Sequence, residues 1–155
     1  MKTPYPRTVT RIGRLLAIGL MVLAGLGLAA TPATSPVGLW KTVSDETGRP
    51  SGIVEIVETG GVYSGRIVKL LEKDPDTVCS KCTDARKDQK VVGMVFLTGL
   101  KADGDEFNGG EILDPAKGTV YRAKMKLLDG GTKLEVRGFI GFSLLGRSQT
   151  WIREP

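Results

Sequence analysis

Cys79-Ser80-Lys81-Cys82 holds the two cysteines of this chain, three residues apart, inside a polar stretch from Glu72 to Lys90. In an oxidising compartment, two cysteines with no third read as a disulfide. Closing so short a loop contributes about 2 kcal/mol on the chain-entropy estimate, so its use would be to pin the stretch around it. The sharper chemistry open to Cys-x-x-Cys is thiol–disulfide exchange. That chemistry wants the first thiolate stabilised at a helix N-terminus, and the sequence shows neither such a helix nor a βαβ unit. Structural zinc takes about four ligands drawn from Cys, His and carboxylates, and two cysteines with no histidine supply too few.

The lack of histidine also excludes a Ser-His-Asp or Cys-His nucleophile within the chain. Carboxylates remain. Asp103, Asp105 and Glu106 cluster at one turn, and Glu111 and Asp114 lie near the next. Asp and Gly supply turn geometry without any function, and calcium wants more oxygen ligands than this spacing offers. No catalytic residue, metal or cofactor is expected.

The remaining chemical groups suit binding. Arg137, Arg147 and Arg153 would hold an anion if they met, because guanidinium is matched to carboxylate and phosphate; stacking on Trp40 or Trp151 is their ordinary alternative. Most aromatics read as core. Phe142-Ser143-Leu144-Leu145-Gly146 reads either as a hydrophobic lip or as a final hairpin tucked under the fold. The candidate ligand contacts are therefore Trp40, Tyr121, Arg137, Phe142, Arg147, Trp151 and Arg153.

The elements that must position them are short strands between turn signals. Val37 to Val43 opens the domain, and Asp45 to Gly52 is a turn by composition. Ile53 to Glu58, Gly60-Gly61 and Val62 to Leu71 form a hairpin. The stretch from Glu72 to Lys90 is the longest irregular one, and loops of that size are often functional. Val91 to Leu100 is nearly all apolar and reads as a strand buried on both faces. Glu106 to Leu113 carries Gly109-Gly110, where a bulge is expected. Tyr121, Ala123, Met125 and Leu127 alternate with Arg122, Lys124 and Lys126, one face to the core and one to water. Leu134, Val136 and Ile140 share a face with Gly138 on the next strand, and Arg147 to Arg153 ends the series. About eight strands joined mostly by tight turns predict an all-β antiparallel meander closing into a small β-barrel. Glycine inside several strands supplies the bends that a small barrel needs.

Residues 1–33 read as a cleavable signal peptide. Lys2, Arg7, Arg11 and Arg14 precede an uncharged apolar run from Leu15 to Ala30, and small residues follow. The run is shorter than the roughly 20 residues of a spanning helix, so no stable membrane span is expected after cleavage. Removing those four cations leaves 18 Lys and Arg against 17 Asp and Glu. A near-neutral domain lacks the basic excess of a nucleic-acid binder. Residues 34–36 are a tether, and 37–155 make one domain with the cysteine loop at 72–90.

Five separated motifs then carry a resemblance. They are Gly38-x-Trp40, Gly109-Gly110-x-Ile112-x-Asp114-Pro115, Gly118-x-x-Tyr121, Arg137-Gly138-Phe139-Ile140-Gly141 and Gly146-Arg147-x-x-x-Trp151-x-Arg153. Together they resemble the bacterial exported family catalogued as domain of unknown function 2147, which implies a β-barrel-like envelope protein of Gram-negative bacteria and no assigned reaction. A weaker similarity is to the lipocalin and calycin barrels, in which an arginine of the last strand packs on a first-strand Gly-x-Trp. Arg147 or Arg153 on Trp40 would fit that arrangement.

The expectation is a periplasmic or secreted, non-catalytic β-barrel that binds a small amphipathic or apolar ligand, or an envelope component, inside or at the mouth of the barrel. The alternatives are an accessory protein docking on an envelope partner through the 72–90 loop, and a redox protein acting through the cysteine pair.

Overall fold

The computed structural model describes residues 34–44 and 47–155, together with Met1. The leader expected over 1–33 lies outside the described residues, Met1 apart, and everything below concerns the unit Thr31–Pro155.

Eight antiparallel strands follow one another around a closed barrel: β1 (Gly38–Val43), β2 (Pro50–Thr59), β3 (Val62–Leu70), β4 (Val95–Asp103), β5 (Glu106–Asp114), β6 (Thr119–Leu128), β7 (Lys133–Phe139) and β8 (Gly146–Arg153). Each strand pairs with its neighbour in sequence, and β8 returns to β1 at Trp40↔Arg153 and Lys41↔Ile152. The expected all-β meander is therefore the fold. Closure joins the two outermost strands at those two pairs.

The alternation of the strands divides the molecule into two ends. One end, the base, carries the tight turns at Gly60-Gly61 and Gly104-Asp105, the short 3-10 turn Asp129–Gly131 and the last residues of β8. The other end, the mouth, carries the connections 44–49, 71–94, 115–118 and 140–145. Trp40, Ile56, Leu97, Leu100, Met125 and Leu134 fill the lower barrel and are fully buried. Tyr63 stands edge-on to Phe107 there, with ring centroids 4.8 Å apart. Tight packing toward the base leaves whatever free volume exists toward the mouth.

Gly109-Gly110 is the expected irregularity: the β5–β6 register shifts between Phe107 and Gly110. A Cβ at Gly110 would stand 2.5 Å from Leu100 Cγ and 2.6 Å from the Thr98 carbonyl oxygen, so β4 and β5 come too close there for a side chain.

Two expectations need correction. Val91 to Leu100 is not one strand buried on both faces. Strand β4 begins at Val95, which is exposed, and the chain turns at Gly93, whose φ is +91°. Val91 and Met94 are buried from the loop, where Gly93 N–H donates to the Ile67 carbonyl and Ile67 N–H to that of Met94. Ile140, expected on the core face with Leu134 and Val136, lies beyond the end of β7 and is 65% exposed.

A candidate binding cavity at the barrel mouth

The face of β8 that turns inward runs the length of the barrel: Arg147 at the mouth, then Gln149, then Trp151, then Arg153 at the base. Period-2 alternation puts all four on one side of the strand. Trp151 is buried and forms the floor of the open space with Phe96, their rings 6.0 Å apart. The Trp151 indole N–H donates to Gln149 Oε1 at 3.2 Å.

Above that floor lies a cavity of about 1280 Å³, open to solvent at the mouth. Its walls are largely aliphatic, from Val54, Ile67, Leu70, Ile112 and Val136, with Tyr121 on one side. Gly138 leaves the wall thin, because a Cβ there would meet Ile112 Cγ2 at 3.3 Å and Tyr121 Cβ at 3.5 Å. Polar and charged side chains line it too, among them Ser51, Glu72, Asp114, Lys117, Arg147 and Gln149. Thr42 and Ser51 share a hydrogen bond of 2.9 Å near the rim. Apolar walls beside placed polar groups suit a small amphipathic molecule.

One side of the mouth carries the cysteine loop as a strap. Cys79 and Cys82 are joined by a disulfide and are 0% and 2% exposed. Cys79 N–H donates to the Gln89 carbonyl and Val91 N–H to that of Thr77, both at 2.9 Å, so the loop is zipped at its neck. Cys79 Sγ lies 3.4 Å from the Pro115 carbonyl oxygen. Gly118 has φ +69°, and a Cβ there would collide with the Lys81 carbonyl oxygen. The β5–β6 turn thus presses directly on the strap. The Arg86 guanidinium bonded to Asp84 holds that carboxyl down at about 2, and Lys90 beside Asp76 lowers the Asp76 carboxyl in the same way. Burial shields this disulfide from an attacking thiolate.

The opposite side of the mouth carries the β7–β8 loop as a lip. Phe142, Leu144 and Leu145 are 80%, 89% and 75% exposed. Of the two readings of this segment, the lip is the one that forms. Arg137 shapes it, donating from Nε to the Ser143 carbonyl at 2.7 Å, from Nη2 to the Leu144 carbonyl at 3.3 Å, and from Nη1 to Ser148 Oγ at 3.0 Å.

The seven candidate ligand contacts fall into three places. Tyr121, Arg147 and Trp151 line the cavity. Phe142 and Arg137 belong to the lip. Trp40 and Arg153 sit at the base, where the Arg153 guanidinium lies 4.2 Å from the Trp40 ring centroid, away from the cavity lining. The three arginines therefore do not converge on one anion. Partial burial lowers the Arg153 pKa from its ordinary value. The carboxylates do not gather either. Glu106 pairs with Lys124 and Asp105 with Lys126, while Asp114 Oδ1 accepts the backbone N–H of Ala116 and Lys117. Among the described residues no cluster of His, Cys, Asp or Glu could hold a metal. Thr42, Ser51 and Gln149 carry no motif that marks them in the sequence. Thr42 and Gln149 lie two residues from Trp40 and Trp151, so alternation from either tryptophan points to them.

An eight-stranded up-and-down barrel, filled at one end and hollow at the other, defines a lipocalin-like architecture. Among solved structures it is similar to the Helicobacter pylori protein HP1028, which is described as belonging to the lipocalin family. The TM-score is 0.70 and the identity 18%, over 79% of this chain and 85% of that one. At that identity the likeness is one of fold. A family model described as "Uncharacterized protein conserved in bacteria (DUF2147)" matches residues 38–153, and the chain belongs to that family. No curated protein matches it.

Proposed function

We propose that this protein is an exported, non-catalytic binder of a small amphipathic or apolar molecule, taken up through the mouth into the upper barrel. The observation that carries the reading is the hollow above Trp151: aliphatic walls and an aromatic floor, with polar and charged side chains also in the lining, open at one end. Burial of apolar surface at roughly 25 cal/mol per Å² is the driving force such a chamber offers. The description of HP1028 as a lipocalin-family protein agrees with this reading. Export to the periplasm, or secretion, is supported by the signal-peptide pattern of residues 1–33 and by the disulfide.

Docking on an envelope protein through the 72–90 loop receives less support, since the Cys79–Cys82 disulfide faces inward against the Pro115 carbonyl and the loop backbone is packed on the β5–β6 turn at Gly118. A redox role is likewise disfavoured by the buried disulfide.

Native mass spectrometry on protein recovered from a Gram-negative periplasm tests the proposal. The expected species starts between residues 30 and 34, is two hydrogens short, and carries an adduct lost on denaturation. A bare native mass, together with no response of tryptophan emission to a panel of fatty acids and lysolipids, would overturn it.

A further inference from the structure

Met1 apart, the lip carries the most exposed large apolar side chains of the described residues. Ile140, Phe142, Leu144 and Leu145 are 65% to 89% exposed, whereas the outward-facing aliphatics of the strands, such as Val57, Val95 and Ile152, are 39% to 47% exposed. Four such side chains on one six-residue connection are unusual for a surface that faces only water. We propose that this lip docks on an anionic phospholipid bilayer, so that the barrel mouth opens onto the membrane surface.

Three features of the loop fit that occupant. Four of its carbonyls are paired within the protein: those of Ser143 and Leu144 accept from Arg137, that of Gly141 accepts from Arg122 at 3.5 Å, and that of Phe142 accepts from Leu145 N–H at 3.0 Å. Paired backbone groups lower the cost of entering the interfacial layer. Beneath the apolar tips stand Arg122, Arg137 and Arg147, on three adjacent strands, at the level where headgroup phosphates would lie. The chain from Val136 to Arg153 contains no acidic residue, nor does β6. Glu111 is the register partner of Arg122 on β5, and Glu72 and Asp114 line the cavity with Arg147. Basic side chains near an anionic leaflet are attracted within a Debye length.

Charge also decides against a second copy of the chain. Two lips placed face to face would bring Arg122 and Arg147 of one molecule toward the same residues of the other. An anionic lipid surface attracts the same charges that would repel one another there.

The lip is continuous with the cavity, because Ile140, Leu144 and Leu145 line both. An apolar molecule would pass between bilayer and barrel without crossing bulk water. That transfer step rests on the ligand-binding reading; the docking itself does not.

Processed protein purified from a bacterial envelope is floated with vesicles of phosphatidylglycerol and phosphatidylethanolamine, and separately with phosphatidylcholine vesicles. The expected result is co-flotation with the anionic vesicles, weakened at 0.5 M salt. With Phe142→Asp and Leu144→Asp combined, binding falls about tenfold or more while the circular dichroism of the barrel is kept. Absent co-flotation, binding that survives both substitutions, or a salt-insensitive dimer lost in the variant would each overturn the proposal. Binding of a fluorescent fatty-acid probe to the unsubstituted protein, measured without vesicles, keeps the two readings apart. Flotation without probe binding overturns the cavity and leaves the docking; probe binding without flotation does the reverse.

Discussion

The Arg153 guanidinium lies 4.2 Å from the Trp40 ring centroid, and its nitrogens donate to three carbonyls: Nε to Gly131 at 2.6 Å, Nη1 to Val37 at 2.9 Å and Nη2 to Ser35 at 2.8 Å. The Trp40 indole N–H donates to the Pro36 carbonyl at 2.8 Å. One side chain from the end of the domain thus ties the entering segment, the last base turn and a fully buried core residue together. Arg153→Ala is expected to cost about 2–4 kcal/mol, because a cation–π contact and several charge-assisted bonds vanish together. Urea unfolding measures this. A double-mutant cycle with Trp40→Leu should return a coupling of about 0.5–2 kcal/mol; additive effects would mean the stack contributes nothing.

The disulfide governs the strap and not the barrel. Replacing Cys79 and Cys82 together by serine is expected to cost about 2 kcal/mol. Amides of Cys79 and Val91, both bonded across the neck of the loop, should exchange faster, while β5 and β6 amides change only through global unfolding. Equal acceleration everywhere would contradict a local role.

Gly118 and Gly104 separate close approach from backbone strain. Gly118 has φ +69° and Gly104 φ +63°, but Gly104 has open space around its Cβ position whereas Gly118 faces the Lys81 carbonyl oxygen. Gly104→Ala should cost about 1–2 kcal/mol, the left-handed penalty alone. Gly118→Ala should cost more and detach the strap, seen as loss of protection at residues 78–91. Equal costs would show that the strap does not press on the turn.

Acid acts first on the strap. The Asp84 carboxyl, held at about 2 by its hydrogen bonds from Arg86, and Asp76, lowered by Lys90, both have folded pKa values below their ordinary 3.8. Their contribution is therefore complete above about pH 4 and is lost as pH falls through the folded values. Strap amides are expected to lose protection between about pH 4 and 2 before the barrel does, followed by exchange of residues 76–90. A histidine-free chain has no side chain whose ordinary pKa would add a transition near pH 6.5.

Filling the hollow tests the proposed site. Gly138→Leu would project into the chamber beside Ile112 and Tyr121. Probe affinity is expected to fall at least tenfold with the barrel retained, as read by titration and circular dichroism. Unchanged affinity would place the probe elsewhere.

Much of this architecture is legible in the order of the residues. The alternation from Tyr121 to Leu127 and the glycine pairs each encode a local geometric demand, and the strands and the bulge follow from them; the stack on Trp40 is implied only by the resemblance to lipocalin barrels, with Arg147 or Arg153 as its partner, and the structure places Arg153 there. Val91 and Met94 mislead because apolar residues anchor loops as well as strands, and Gly93 carries the turn between the two. Ile140 misleads because a period of two does not announce where a strand stops. The cavity is illegible for a deeper reason. Inward positions such as Val54, Ile67 and Val136 look the same whether side chains meet across the barrel or face a void, and that depends on the distance between opposite walls.

The seam between β1 and β8 is joined at two residue pairs, against seven between β7 and β8. Every other ladder forms between sequence neighbours, so the sheet can grow hairpin by hairpin, at small loop-closure cost. The seam alone must bring together segments more than a hundred residues apart, and it has the fewest rungs with which to do so. It is therefore expected to be the last ladder to form and the first to part. Arg153 is the latch on that door: how long the barrel stays shut is set at the end of the chain, on the side of the molecule away from the mouth.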